Sequence, residues 1–283
     1  MPLLGSHMSV AGGLHLAFER ISRVNGQALQ IFTRNQRQWQ SEPVSLSERE
    51  LFMQERKKWG DGPIASHNSY LINLASHKKE IRDKSRQAMA AEIERAAALE
   101  IPYIVMHPGS HGGDGPEVGL ERFVRNLDAS IELVGECDDV MILIENTAGQ
   151  GTGLGASFSE IRYILSNSLF GKRLGVCLDT CHLFAAGYDF RSPECYRKTF
   201  DSIDHEIGID RIRFFHINDS KKELGSRVDR HEHIGKGHIG LDGFRNLLND
   251  DRFRNHPMTL ETPKGADLAE DRENLAVLGS LII

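Results

Sequence analysis

Nine residues carry the chemical signal in this sequence: His67, His107, Glu145, Asp179, His182, His216, Asp229, His231 and Glu261. Imidazole and carboxylate donors without an obvious thiolate suit Zn2+ or Mn2+ at a hydrolytic site better than a structural four-cysteine zinc. Each zinc takes about four ligands, so this many donors point to more than one ion. Gathering so many buried carboxylates without cations would be costly. Taken one at a time, each residue has an ordinary reading. A histidine at a strand end is commonly a hydrogen-bonded structural residue, and an acid there caps the next helix, as Asp179 before Thr180-Cys181-His182 could. What weakens that reading is recurrence at the same point of successive strands.

The elements that must position these residues follow from the pattern of apolar runs. Candidate strands are 2–7, 28–33, 63–68, 103–107, 140–146, 174–179, 213–218 and 258–262, separated by helical stretches. Helices are expected over 81–100, 120–137, 158–165 and 241–249. Eight βα units predict an α/β chain folded as a (β/α)8 TIM barrel rather than a doubly wound sheet, because no dinucleotide fingerprint follows the first strand. In such a barrel the C-terminal strand ends converge on one face, which is where the metal site is expected. Asp179-x-x-His182 and Asp229-x-His231 are compact pairs, the second in an extended segment with both side chains on one side. The segment 219–240 is long for a connection and reads as functional. Gly149-Gln150-Gly151-Thr152-Gly153-Leu154-Gly155 lacks a Gly-Lys-Ser/Thr ending and reads as a flexible βα loop rather than a phosphate loop. Cys177 and Cys181 read as barrel packing.

At 283 residues the chain matches one barrel, a single domain over 1–283. It has no bilayer-length apolar run and no visible secretory signal. Four cysteines are too few for a disulfide framework, so a cytoplasmic setting is expected. The net charge of −6 by itself argues against a nucleic-acid partner. Three divalent cations would cancel it and concentrate positive charge in one cleft.

Gly5-Ser6-His7-Met8 has the look of a cleaved expression tag, but flanked by Leu3-Leu4 and Ser9-Val10-Ala11-Gly12-Gly13 it makes a sensible strand and loop. That opening, together with Phe32-Thr33-Arg34-Asn35-Gln36-Arg37-Gln38-Trp39, His107-Pro108-Gly109-Ser110-His111, Cys177-Leu178-Asp179-Thr180-Cys181-His182 and Arg227-Val228-Asp229-Arg230-His231-Glu232-His233-Ile234-Gly235, resembles the endonuclease IV family of apurinic/apyrimidinic endonucleases. The similarity runs over nearly the whole chain.

The resemblance implies a trinuclear zinc site, with Mn2+ as an alternative at one position. His67, His107 and Glu145 would hold one ion. Glu145 would bridge to a second, also held by Asp179, His216 and Glu261. His182, Asp229 and His231 would hold the third. The expected reaction is hydrolysis of the phosphodiester 5′ to an abasic site in double-stranded DNA, leaving a 3′-hydroxyl and a 5′-deoxyribose phosphate. Trimming of blocked 3′ ends is expected as well. A water bridging paired zincs, its pKa lowered to about neutral, would supply the hydroxide nucleophile, oriented by Glu145 as catalytic residue. Arg37, Tyr70 and Leu71 match family positions that enter the duplex at the lesion, where a wedge unstacks DNA and a missing base is cheap to swing out. Arg34, Lys221, Lys222, Arg227, Arg230 and Lys236 are candidate phosphate contacts. His7, His111 and His233 are candidates to contact phosphate or orient ligands. A monomer is expected, with no membrane partner. The rival readings are a metal-dependent sugar isomerase on a similar barrel and a catalytically silent lesion binder.

Overall fold

The computed structural model describes residues 1–283 except Glu136 and Asp138. Its strands, in chain order, are β1 (Leu3–Met8), β2 (Ala28–Ile31), β3 (Ile64–His67), β4 (Tyr103–Met106), β5 (Met141–Glu145), β6 (Leu174–Asp179), β7 (Ile212–His216), β8 (Asp219–Ser220), β9 (His231–Glu232) and β10 (Pro257–Leu260). Eight of them pair in parallel and close into a barrel in the order β1-β10-β7-β6-β5-β4-β3-β2. The expected α/β barrel is what forms, and each expected strand lies within a residue or two of its place. The long segment 219–240 is not all loop: β8 and β9 pair antiparallel within it.

The helices are α1 (Leu16–Arg23), α2 (Leu46–Trp59), α3 (Lys79–Ala98), α4 (Pro116–Glu132), α5 (Phe158–Asn167), α6 (Thr180–Ala185), α7 (Pro193–Ile207), α8 (Gly240–Leu248) and α9 (Ala269–Ser280). The helix expected over 120–137 starts earlier, because Pro116 is pre-set for a first helical turn. It stops at Glu132; the end expected for it runs past Glu136, outside the described residues. α2, unremarked in the sequence, is a polar helix whose buried face is reduced to Phe52. Its ends are nonetheless well marked, by Ser45 accepting from the Glu48 amide and by Gly60 in the left-handed conformation.

Two apolar layers hold the barrel. A large cluster fills the space between strands and helices. A smaller one, of Ala65, Val105, Leu143, Cys177 and Phe214, lies apart from it and is fully buried. Gly5 lets β1 approach β2: a Cβ there would come 1.7 Å from the Ala28 carbonyl oxygen. The tag-like string is therefore barrel wall.

Candidate metal centre

Period-two alternation takes the inner apolar layer directly to the site. Two residues beyond Ala65, Val105, Leu143, Cys177 and Phe214 stand His67, His107, Glu145, Asp179 and His216. The register aligns these strands side by side, with Asp179 opposite His216 and His67 opposite Val105. On the remaining strands the same step leads to His7, Gln30 and Glu261. The C-terminal mouth is thus ringed by polar side chains at the ends of all eight barrel strands, His107 and Glu261 standing one residue past β4 and β10. His182 from α6, Asp229 from the segment before β9 and His231 from β9 complete the set.

The structure brings all nine expected residues together, in three groups whose donor atoms lie within 4.8 Å of one another. His67 Nε2 and His107 Nε2 face Glu145 Oε2 at 3.1 and 2.9 Å. The other oxygen, Oε1, faces His216 Nδ1 at 3.0 Å. That nitrogen also lies 3.3 Å from Glu261 Oε2 and 3.9 Å from Asp179 Oδ2. In the third group Asp229 faces His182 Nε2 at 3.2 Å and His231 Nε2 at 3.3 Å. Asp179 caps α6, its Oδ1 accepting from the His182 amide, while Oδ2, held by Asn218 Nδ2 at 2.7 Å, faces the cluster.

The protonation pattern tests whether cations fit. A carbonyl oxygen only accepts, so His67 and His182 donate through Nδ1 to Asn68 O and Asn146 O at 2.8 and 2.9 Å. His231 Nδ1 likewise donates to Glu261 O at 3.2 Å. With Nδ1 committed to these carbonyls, Nε2 of each ring faces a carboxylate, a contact that needs positive charge, either a second ring proton or a cation held between them. His231 Nε2 is buried without a hydrogen-bond partner among the described residues. Four-coordinate zinc with bonds of about 2.0–2.1 Å would set its ligands about 3.3 Å apart, close to the spacings found. The donor set fits zinc.

Electrostatics agree. Burial alone would raise the Glu145 carboxyl, but His107 and His216 outweigh it and hold it well below the usual carboxylate range. Burial would lower His182, yet Asp179, Asp229 and Glu145 push it well above an ordinary imidazole. The pocket demands positive charge. Cys181 also approaches Asp179 and His231. Burial raises its thiol to about 12, as it does that of Cys177.

Around this cluster, Tyr70 is exposed and packs its ring 5.4 Å from that of His67. Its backbone amide donates to Gln36 Oε1 at 3.3 Å, so the Arg37 loop and the Tyr70-Leu71 loop meet beside the site. Arg37 is exposed and Leu71 half-buried. Gln36, an uncharged residue with no spacing signal of its own, is the tie between these loops.

Arg34 is not a free phosphate contact. It is buried, and its Nε lies 2.6 Å from Glu92 Oε1. Lys221, Lys222, Arg227, Arg230 and Lys236 are exposed. His7 does orient a site residue, its Nδ1 lying 2.8 Å from Glu261 Oε1. His111 instead accepts from the nearby Gly113 and Gly115 amides, and His233 meets Asn274 of α9, 41 positions away. The glycine-rich segment is a βα loop but a pinned one: Leu154 is buried, and Thr152 Oγ1 lies 2.6 Å from Ser110 Oγ.

Residues 18–280 match the family described as the xylose isomerase-like TIM barrel. That shape alone does not separate a nuclease from an isomerase. The "Probable endonuclease 4" of Chloroflexus aurantiacus, however, is 50% identical over 284 residues, covering 100% of this chain and 99% of that protein. The chain belongs to the endonuclease IV family. A protein of the same name from Geobacter sulfurreducens is 50% identical over 279 residues, covering 99% of this chain and 94% of its own length. The crystal structure of endonuclease IV from Thermus thermophilus superposes with a TM-score of 0.88 at 37% identity, covering 99% of this chain and 98% of that one. The shared barrel is thus that of the endonuclease IV family, and its mouth is where the polar ring converges.

Proposed function

We propose that this member of the endonuclease IV family is a metal-dependent DNA repair hydrolase that cuts the phosphodiester 5′ to an abasic site in duplex DNA. The products would be a 3′-hydroxyl and a 5′-deoxyribose phosphate, and the same site would trim blocked 3′ ends. The observation that carries the reading is the division of nine buried or half-buried donors into three adjacent groups, two of which share Glu145. His67, His107 and Glu145 would hold one zinc, Glu145, Asp179, His216 and Glu261 a second, and His182, Asp229 and His231 a third, with Mn2+ an alternative at one of them. When bound, such ions supply Lewis acidity to phosphate oxygens and bring the pKa of water toward neutrality.

The chain's own residues supply the rest. Glu145, ionised and fixed by histidines on both oxygens, is placed to orient the attacking water. Asn68, Asn146 and the Glu261 carbonyl keep three imidazoles facing inward, so no reorganisation is required as charge develops on phosphate. Arg37, Tyr70 and Leu71 would enter the duplex beside the cluster, where an abasic nucleotide costs little to extrude. Lys221, Lys222, Arg227, Arg230 and Lys236 would carry phosphate contacts along the rim. An asymmetric grip of this kind needs one copy, so the enzyme would act as a monomer, with the whole chain as one catalytic domain.

The test is nicking of a duplex with one central abasic site, with and without chelator, beside a metal count. The expected result is one cut 5′ to the lesion, lost on chelation, with about three metals per chain. An intact duplex treated with fully metallated protein would overturn the reading.

A further inference from the structure

We propose that Gln30 is the positioning residue that fixes His216 in its Nε2–H tautomer and turns one oxygen of Glu261 toward the metal centre. The inference rests on the metal reading above and deepens it. Gln30 sits on β2, fully buried, two residues beyond Ala28, opposite His7 in the register. Its side chain spans the barrel mouth: Oε1 lies 2.7 Å from His216 Nε2, and Nε2 lies 2.7 Å from Glu261 Oε1.

The orientation of the amide follows from what its neighbours can do. An ionised carboxylate only accepts, so the NH2 end must face Glu261. That leaves the carbonyl end for His216, and a carbonyl also only accepts, so His216 must carry its proton on Nε2. With a metal bound in place of a second ring proton, the lone pair of His216 would lie on Nδ1, the atom that faces Glu145, Asp179 and Glu261. His216 thus presents the opposite nitrogen from His67, His182 and His231, whose Nε2 atoms face carboxylates, although His182 Nδ1 also lies 3.2 Å from Glu145 Oε1. Those three are held by backbone carbonyls that the fold places regardless of side chains. His216 is held by a side chain, so its tautomer depends on one replaceable residue.

Glu261 is sorted in the same way. Its Oε1 receives Gln30 and lies 2.8 Å from His7 Nδ1, so its bonding is directed away from the cluster. Oε2 is left facing His216 Nδ1. One amide therefore sets two donors of the same group, the group that shares Glu145 with its neighbour. Partners of this kind typically change metal affinity by about 10–100-fold when removed.

The experiment compares zinc-loaded wild-type protein with Gln30→Leu, which keeps most of the volume and removes the bonds to His216 and Glu261 together with the 3.0 Å contact between Gln30 Nε2 and His7 Nδ1. Chelator titration followed by native mass spectrometry counts the ions still bound. The expected result is folded Gln30→Leu protein in which one zinc leaves at about 10–100-fold lower chelator strength while the others are retained. In parallel, proton–nitrogen correlation spectra of the wild type should show His216 protonated on Nε2, with the signal assigned by its absence in His216→Gln. Equal retention of every zinc in Gln30→Leu would overturn the inference and leave the metal reading intact. Simultaneous loss of all zinc would also overturn it, as would a proton on His216 Nδ1. Should Gln30→Leu not fold, the wild-type tautomer decides alone. Failure of the wild type to bind zinc would overturn both readings together.

Discussion

Arg34 and Glu92 form an ion pair with almost no solvent exposure, the guanidinium Nε 2.6 Å from Glu92 Oε1. Thr33 donates to the other oxygen of Glu92 at 2.8 Å, and Arg34 reaches back to the Trp39 carbonyl at 3.0 Å. The pair therefore ties the root of the Arg37 loop to α3. Removing one member leaves a buried charge uncompensated, which costs about 3–5 kcal/mol. Glu92→Ala should lower unfolding free energy by that order in urea titrations. Unchanged stability would mean that the loop does not depend on this anchor.

Metal removal should act on both stability and activity. Ions that bind only the folded chain stabilise it by mass action, roughly 2.7 kcal/mol at a hundredfold excess over the dissociation constant. Apo protein should melt at a lower temperature, and added zinc should raise the midpoint with concentration. Glu145→Ala removes the residue shared by two groups and should abolish cutting while lowering the metal count. Near-normal turnover with full zinc would refute the ligand assignment.

Loop variants should behave differently. Arg37→Ala and Tyr70→Ala change exposed side chains beside the cluster, not donors within it. Both should weaken binding to an abasic duplex, by about tenfold for each 1.4 kcal/mol lost, with metal content unchanged. Zinc loss in either variant would show that these loops support the site structurally.

At the opposite end of the barrel, Asp250 provides a pH-dependent prediction. Burial would raise its carboxyl, but hydrogen bonds from Arg252 and Tyr196 outweigh it and hold it below the usual value. Tyr196 Oη donates at 2.7 Å and Arg252 Nη2 at 2.6 Å. A depressed folded pKa contributes stability above the unfolded value, about 3.9, and that contribution is lost as pH falls through the folded value. Asp250→Asn should therefore be less stable than wild type near neutrality, with the difference shrinking below about pH 4. A difference independent of pH would assign the effect to packing.

Much of this molecule follows from local pattern. Short apolar runs at βα spacing make a barrel, because parallel strands buried on both faces must alternate with covering helices. His67, Glu145, Asp179 and His216 are visible because they end such runs. Caps and polar helices were harder to see: α2 buries so little that its apolar periodicity is weak, although Ser45 and Gly60 mark its ends.

Tertiary structure decided what depends on residues far apart in the chain. Arg34 and Glu92, 58 positions apart, meet only when the β2 loop lies over α3, so sequence alone left Arg34 among the candidate phosphate contacts. Gln30 ends no strand conspicuously and carries no charge, yet closure of the barrel sets it between His216 and Glu261, 186 and 231 positions away. The sequence by itself determined which donors exist and that they share one face, because strand alternation is local. Which nitrogen each histidine presents, and which oxygen each carboxylate turns inward, was decided by contacts across the barrel mouth, because hydrogen bonds of about 3 Å exist only once all eight strands have closed.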